Sequence, residues 1–279
     1  MMKIEEVIQE SPLARSFMFR KGLEYQPGQF VMLWIPGLDE KPFSISYHGK
    51  DFFGITVALK GKFTHRLHEM KAGEWVGIRG PFGSAFNLVV SEANLLDVGR
   101  ACVVGGGVGM ASLATLIERL GDLVVVQGAR TASDLLYRNR FKVAGPLPTK
   151  DMLLCTEDGS AGTKGVPTDL LEDLYRHYRF DVLYTCGPEA MMVKVLDFAM
   201  QYNIYMQASL ERYIKCAVGL CGQCSCNGLR LCIEGPVLDC EKLRTLEDFG
   251  RYARLRNGRR VSIEEYLGGN RRPNKHPSA

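Results

Sequence analysis

The chain has 279 residues, of which 46% are hydrophobic and 24% are charged. At roughly 100–200 residues per domain, this length favours two domains, and the composition excludes a globally disordered chain. The longest uncharged stretch, Ala101 to Ile117, is shorter than the roughly 20 apolar residues that cross a bilayer. Glu5 and Glu6 stand where a signal peptide would have a basic region before an apolar run. We therefore expect a cytoplasmic protein without a membrane segment.

The first hundred residues alternate short segments rich in β-branched and aromatic residues with glycine and proline turns. Four of these segments are predicted strands: Ala14–Arg20, Phe30–Ile35, Pro42–Tyr47 and Phe52–Leu59. Short strands separated by such turns are typical of a small antiparallel barrel.

A short helix is predicted between the later strands. Phe63, Leu67 and Met70 fall on one face of a helix that begins near Thr64. The free N–H groups at its start would suit a phosphate. Core packing explains the apolar face equally well, so both interpretations stay open.

A glycine-rich turn follows an apolar strand at Val103. The turn contains Gly105, Gly106, Gly107 and Gly109, and a helix-forming run continues to Leu120. A strand that enters a helix through such a turn presents backbone N–H groups to a phosphate. The spacing is not a strict G-x-G-x-x-G, so the motif alone is a weak indication.

The segments after this turn alternate between strand and helix. Predicted strands cover Asp122–Gln127, Asp151–Cys155 and Asp181–Thr185, and predicted helices cover Ser133–Val143, Thr168–Tyr178 and Glu189–Met200. This alternation predicts a doubly wound parallel sheet, whose ligands lie at the carboxyl ends of the strands. The glycine turn and the run Cys186-Gly187-Pro188 both follow such ends.

Six of the nine cysteines fall within one short segment. Cys216, Cys221, Cys224 and Cys232 have the spacing C-x4-C-x2-C-x7-C, and its opening matches the ligands of plant-type 2Fe-2S ferredoxins. Gly219 and Gly222 would let the backbone turn so that its N–H groups face the sulfur atoms. These four cysteines are the predicted metal ligands of a 2Fe-2S cluster.

Structural zinc is the alternative for the same segment. It would use Cys221 and Cys224 as a C-x2-C pair together with Cys232 and Cys240. Zinc would leave Cys216 and the glycine pattern unexplained, so we favour the cluster. Cys226 and Cys240 are then surplus, either as buried small apolar residues or as a substitute ligand.

The last thirty residues are basic. They contain eight Lys or Arg against two Glu, whereas the whole chain has a net charge of only +4. There is little aromatic interleaving, so we expect a solvated tail or a contact with a partner protein and no nucleic-acid site.

The order of barrel, nucleotide-binding sheet and C-terminal cysteine loop resembles the ferredoxin-reductase-type flavoproteins, and especially the electron-transfer subunits of dihydroorotate dehydrogenase B. The most specific stretches are Ser209–Cys224 and Leu231–Val237, and Asp248–Tyr252 with Gly258–Val261 is similar to the archaeal branch. The resemblance implies an FAD-binding barrel over residues 1–96, an NAD-binding α/β domain over 97–208, a 2Fe-2S module over 209–249 and a basic, partly disordered extension over 250–279.

The resemblance also assigns the cofactor-binding residues. Those for FAD are Lys41, Pro42, Phe43 and Ser44, which match Arg-Pro-x-Ser, then Val57 and Ala58, and Gly61, Phe63 and Thr64 of the phosphate turn. Those for NAD(H) are Gly105, Gly106, Gly107, Val108 and Gly109, with Cys186, Gly187 and Pro188. Two positions depart from the pattern: Lys41 replaces an arginine and loses its bidentate fork, and Phe63 replaces a glycine.

These cofactors predict an electron relay. Nicotinamide exchanges two electrons as a hydride and an iron–sulfur cluster exchanges one, so a flavin that does both belongs between them. By resemblance the partner is an FMN-containing catalytic subunit that oxidises dihydroorotate, and the basic tail or the cluster face is the expected docking surface. The alternatives are the flavin subunit of a sulfhydrogenase or of an NADH-dependent ferredoxin:NADP oxidoreductase, and a non-enzymatic redox regulator.

Overall fold

The structure is a computed structural model that describes residues 1–88, 100–138, 140–141 and 151–269. The expected boundary between residues 96 and 97 and the end of the chain from residue 270 lie outside these ranges. No helix in the described ranges is long and apolar enough to cross a bilayer.

The N-terminal part is a closed six-stranded barrel, as predicted. Its elements are β1 (Met2–Ser11), β2 (Ala14–Phe19), β3 (Phe30–Ile35), β4 (Asp39–His48), β5 (Phe53–Ala58), α1 (Lys62–Glu69) and β6 (Trp75–Phe82). The strand order is β1-β2-β5-β4-β3-β6, and every neighbouring pair is antiparallel. Phe17, Ile45 and Ile55 fill the barrel, and α1 covers it with Phe63 and Leu67. The predicted strands and helix are confirmed.

The second part is a parallel sheet with helices on both faces. Its elements in chain order are β7 (Ala101–Gly106), α2 (Met110–Arg119), β8 (Leu123–Ala129), β9 (Asp151–Thr156), β10 (Thr163–Lys164), α3 (Leu171–His177), β11 (Val182–Cys186), α4 (Glu189–Tyr202) and β12 (Tyr205–Ser209). The strand order is β10-β9-β8-β7-β11-β12. After β7 the chain adds strands towards one edge of the sheet, and from β11 it adds strands towards the other edge. The carboxyl ends of β7 and β11 therefore form the crevice where such sheets bind ligands.

One predicted helix is wrong in its described part. In place of a helix over Ser133–Val143, a single 3-10 turn covers Ala132–Asp134, and residues 139 and 142–143 lie outside the description. Leu135, Leu136 and Tyr137 are all buried in succession, which one face of a surface helix cannot achieve. Tyr137 has φ +58, and its hydroxyl donates to Thr56 Oγ1 of the barrel at 2.6 Å. Tertiary contact between barrel and sheet has overridden the local helical pattern.

The cysteine segment is built onto the edge of the sheet. It contains β13 (Ser225–Cys226), β14 (Leu229–Arg230), β15 (Val237–Asp239) and α5 (Cys240–Thr245). Strand β15 pairs antiparallel with β12. Cys224, Leu231 and Cys232 share one hydrophobic core with the side chains of the sheet and of α4. The loop is thereby fixed relative to the nucleotide crevice.

The start of the basic extension forms a hairpin and a helix, β16 (Tyr252–Arg254), β17 (Arg260–Ser262) and α6 (Ile263–Gly269). Four of its arginines donate to acceptors within the chain. Arg254 binds the Gly258 carbonyl, Arg256 binds Asp39, Arg259 binds Glu265 and Arg260 binds Asp248. These four guanidinium groups are therefore engaged within the chain.

Candidate functional site

The glycine turn lies at the carboxyl end of β7 and continues as a 3-10 turn, Gly107–Gly109, into α2. A Cβ on Gly109 would lie 2.4 Å from the Cys186 carbonyl oxygen, and one on Gly106 would lie 2.6 Å from Pro188 Cδ. The two predicted nucleotide motifs thus touch each other across β7 and β11. At Gly107, with φ +52, a Cβ would meet nothing within 4 Å, so the backbone there is open to a ligand.

The turn predicted to hold FAD phosphates begins α1. Gly61 is extended, with φ −166, and a Cβ there would meet nothing within 4 Å. Thr64 Oγ1 accepts hydrogen bonds from the N–H groups of Lys60 and Gly61 at 2.8 and 2.9 Å. Phe63 turns away from this opening, is buried and stacks on Phe43 with 6.1 Å between ring centroids. Replacing the glycine of the pattern by Phe63 therefore leaves the turn open.

The Lys41-Pro42-Phe43-Ser44 motif lies on β4. Lys41 Nζ donates to Asp39 Oδ2 at 2.6 Å and lies 5.1 Å from the centroid of the Tyr213 ring. On the next strand, the Val57 side chain is inside the barrel core, and its carbonyl accepts from His68 Nε2 at 2.8 Å. Ala58 is only partly buried. The polar edge of β4 is thus the accessible part of the predicted flavin surface.

A polar cleft of about 470 Å³ separates β4 from the start of the cysteine loop. It is lined by Asp39, Glu40, Tyr213, Lys215 and Arg256. Arg79 on β6 binds Glu40 through two hydrogen bonds of 2.7 and 2.8 Å and is close enough to Cys216 for an electrostatic interaction. The predicted flavin strand and the predicted cluster loop therefore face each other.

Sequence reasoning did not single out these cleft residues. Lys215 directly precedes Cys216, and Tyr213 lies three residues before it. Both fall within the stretch that carries the resemblance, so their position in the sequence could have indicated a role near the cluster. Arg79 and Arg256 reach the cleft only through the fold, and no local pattern marks them.

Backbone N–H groups point at the sulfur atoms of the cysteine loop. The N–H groups of Cys221, Cys232 and Gly219 lie 3.5, 3.4 and 3.3 Å from the sulfurs of Cys216, Cys224 and Cys232. Positive φ at Gly219 and Gly222, +73 and +66, permits this turn. Although partial burial acts in the opposite direction, hydrogen bonds from the N–H groups of Cys221, Val218 and Leu220 lower the pKa of the Cys216 thiol to about 6. The loop therefore stabilises the thiolate of Cys216, the form that binds metal, whereas burial raises the pKa of Cys232 to about 12.

The four thiols are arranged in two pairs. The Cys221 N–H donates to Cys216 Sγ, and the Cys232 N–H donates to Cys224 Sγ. Within the described ranges, no group of three or more His, Cys, Asp or Glu converges as the ligands of a single metal ion would. Four thiols in two pairs are the set of ligands that a two-iron cluster takes.

The two surplus cysteines are buried. Cys226 Sγ lies 3.9 Å from Arg212 Nη2, and Cys240 begins α5; both belong to the core shared with the sheet. Burial raises the pKa of Cys226. These positions favour packing over a ligand role.

Comparison with known proteins agrees with this arrangement. The family model described as the iron–sulfur cluster binding domain of dihydroorotate dehydrogenase B matches residues 211–244. Proteins named probable dihydroorotate dehydrogenase B (NAD(+)), electron transfer subunit, are 40% identical in Methanocaldococcus jannaschii, over 93% of this chain and 96% of the relative, and 36% identical in Thermoplasma acidophilum, over 93% and 97%.

A solved structure extends the likeness to three dimensions. The NADH-dependent reduced ferredoxin-NADP oxidoreductase, described in connection with flavin-based electron bifurcation, matches with a TM-score of 0.76 and 26% identity over 96% of this chain and 98% of that one. The ferredoxin reductase of carbazole 1,9a-dioxygenase shares the fold at a TM-score of 0.60 over 73% of this chain and 65% of that one, with 16% identity. With its sequence matched over nearly its whole length and its cysteine loop matched separately, the chain belongs to the family of dihydroorotate dehydrogenase B electron-transfer subunits.

Proposed function

We propose that this chain relays electrons between NAD(H), FAD and a 2Fe-2S cluster, and through the cluster exchanges them with an FMN-containing subunit that oxidises dihydroorotate to orotate. The chain is then the NAD(H)-linked oxidoreductase subunit of that complex. The observation that carries the proposal is the polar cleft, because it brings β4 of the barrel next to Lys215 and the Cys216 loop. The names of the relatives support a partner that oxidises dihydroorotate, and the family resemblance implies its FMN.

Each cofactor has a set of residues in this proposal. The residues assigned to FAD are Lys41, Pro42, Phe43, Ser44, Ala58, Gly61 and Thr64, with Val57 and Phe63 supporting them from the core. Those assigned to NAD(H) are Gly105 to Gly109 with Cys186, Gly187 and Pro188, and those assigned to the cluster are Cys216, Cys221, Cys224 and Cys232.

In this proposal the assigned residues bind the cofactors and hold them in place. Bound FAD exchanges two electrons with nicotinamide and single electrons with the cluster. The open backbone at Gly107 holds the nucleotide at the crevice, and the contact between Gly109 and Cys186 fixes the two nucleotide motifs together. Backbone N–H groups donate hydrogen bonds to the sulfur atoms of the cluster loop and stabilise them. None of the nine cysteines forms a disulfide, which suits the reducing cytoplasm, where we place the protein.

The cluster loop also supplies the docking surface. Val218, Leu220 and Ile233 are 54%, 86% and 49% exposed, and Leu220 directly precedes Cys221. Exposed apolar side chains around a redox centre mark a surface that a partner covers. We infer that the catalytic subunit packs on these three residues.

Replacing Cys221 with Ser tests the relay. We expect the variant to lose the cluster, so that electron exchange with the dihydroorotate-oxidising subunit stops while NADH still reduces the flavin. Iron and sulfide assays and the visible spectrum measure this. Loss of both activities, with FAD still bound and the fold intact, would contradict the order of the relay.

Leu220→Asp tests the docking surface. The variant should keep its cluster and its reduction by NADH but lose co-purification with the catalytic subunit. Leu13→Asp is the matched control, because Leu13 is 45% exposed between β1 and β2 of the barrel. Equal loss of the partner in both variants would contradict the assigned face.

A second candidate function follows from the solved structure with a TM-score of 0.76, in which a homologous chain serves an NADH-dependent ferredoxin-NADP oxidoreductase. Co-purification separates the two functions. A flavoprotein that oxidises dihydroorotate supports the first, and a large subunit that reduces NADP supports the second.

A further inference from the structure

The polar cleft between β4 and the cysteine loop carries an excess of positive charge. The cleft is lined by Asp39, Glu40, Lys215 and Arg256, and its two carboxylates are also paired with Lys41 and Arg79, so that four cations accompany two carboxylates. Glu40 is held by the double hydrogen bond from Arg79. Asp39 is then the single carboxylate opposite the other three cations, and the cleft is suited to an anion.

Arg256 reaches this cleft from the hairpin loop between β16 and β17. Its Nη2 donates to Asp39 Oδ2 at 2.7 Å, and its Nε donates to the Tyr213 hydroxyl at 3.1 Å. Lys41 Nζ donates to the same oxygen of Asp39 at 2.6 Å. Both cations also lie over the Tyr213 ring, 5.1 Å from its centroid for Lys41 and 5.4 Å for Arg256. One carboxylate oxygen and one aromatic ring therefore hold two cations side by side.

The pairing of Arg256 with Asp39 compensates for Lys41, which replaces the arginine of the family pattern on β4. Lys41 carries a point charge and cannot present the planar fork that binds two oxygens of a phosphate. The guanidinium of Arg256 has further donors: Nε and Nη2 bind Tyr213 and Asp39, which leaves the Nη1 edge for a phosphate beside the lysine. Two cations joined to one carboxylate leave a net positive charge, which favours a further anion.

We propose that Arg256 completes the diphosphate-binding site for FAD, supplying from the C-terminal extension the guanidinium that Lys41 lacks. This inference rests on the proposed function, because it takes Lys41 to be a diphosphate contact. It gives the basic extension a role in cofactor binding within its own chain. Asp39 and Tyr213 are positioning residues that hold Arg256 at the cleft.

Binding of FAD and of riboflavin, which has no phosphate, to the deflavinated full-length protein tests the proposal. Quenching of flavin fluorescence gives both affinities. We expect Arg256→Gln to weaken FAD binding about tenfold, as for the loss of a charge-assisted hydrogen bond, and to leave riboflavin binding unchanged. Arg256→Lys should restore part of the loss. Arg259→Gln, in the same hairpin but paired with Glu265, is the control and should bind FAD like the wild type.

Three results would overturn the proposal. Equal weakening of FAD and riboflavin binding would show that Arg256 only maintains the shape of the cleft. Unchanged FAD affinity in Arg256→Gln would show that it does not contact the diphosphate, while the relay would stand. Failure of the wild-type apoprotein to bind FAD would overturn both this inference and the proposed function.

Discussion

The glycine turn at β7 and the cysteine loop both use glycines to present backbone N–H groups, but for different physical reasons. Gly109 is required by close packing, since a Cβ would lie 2.4 Å from a backbone oxygen. Gly222 is surrounded by open space, and glycine is required there by the φ of +66. The hydrophobic core thus fixes the turn, whereas the local backbone conformation and polar contacts fix the loop.

The polar contacts of the loop come from its two flanks. Arg212 forms a buried ion pair with Glu189 at the start of α4 and donates to the Tyr252 carbonyl at 3.3 Å. Glu189 Oε2 accepts from the Gly250 N–H at 2.8 Å. The segment after the cluster is thereby tied to the nucleotide sheet. These contacts are the means to disturb the loop without disturbing the turn.

The largest effect is expected from Arg212→Met. The ion-pair side chains are only 3% and 8% exposed, and removing one partner of a buried pair costs about 3–5 kcal/mol because the other charge remains unpaired. We expect lower stability in urea and loss of iron. NADH should still bind at the glycine turn, whose close contacts are with Cys186 and Pro188 and not with the Arg212 side chain.

The double variant Glu189→Gln with Arg212→Met is the control. It removes both charges, so it should be more stable than Arg212→Met alone. If the double variant were the less stable of the two, the unpaired carboxylate would not be the cause of the loss.

Gly109→Ala tests the glycine turn, the other of the two regions compared. The added methyl would overlap the backbone at Cys186, which cannot move without shifting β11. We expect a loss of about 1–3 kcal/mol in the free energy of unfolding and weaker NADH binding, with the cluster retained. Urea unfolding and NADH titration measure these effects.

Gly121→Ala is the matched control for that variant, since a Cβ there would meet nothing within 4 Å. Its stability should stay within about 0.5 kcal/mol of the wild type. Equal losses in both variants would mean that the close approach to Cys186 is not what matters.

The contrast between local patterns and contacts with distant elements explains which parts of the structure the sequence could predict. The strands of the barrel and the cysteine spacing are local patterns, and the structure has the four predicted strands within three residues at each end. The helix expected from Ser133 failed because Tyr137 is held by Thr56 of the barrel, 81 residues away in sequence. The contacts of Arg212 and Arg256 also depend on distant elements, so no spacing along the chain could show them.

The smallest effect is expected at Asp248, a second polar anchor of the loop. Asp248 accepts from the Asn227 N–H at 3.0 Å and from Arg260 Nε at 2.8 Å. Although burial acts in the opposite direction, these hydrogen bonds and the charges of Arg260 and Arg212 lower its pKa below the usual 3.8. The carboxylate therefore stabilises the fold above about pH 4, and this contribution is lost as the pH falls through the lowered pKa.

We expect Asp248→Asn to cost about 1–2 kcal/mol at pH 7 and progressively less below pH 4, measured by urea unfolding at each pH. Asp197→Asn, which removes an exposed carboxylate on α4, should change stability by less than about 0.5 kcal/mol at either pH. A loss at Asp248 that did not shrink in acid would mean that the shape of the side chain, and not its charge, fixes the loop. In that event the loop would resemble the glycine turn, since packing would determine both.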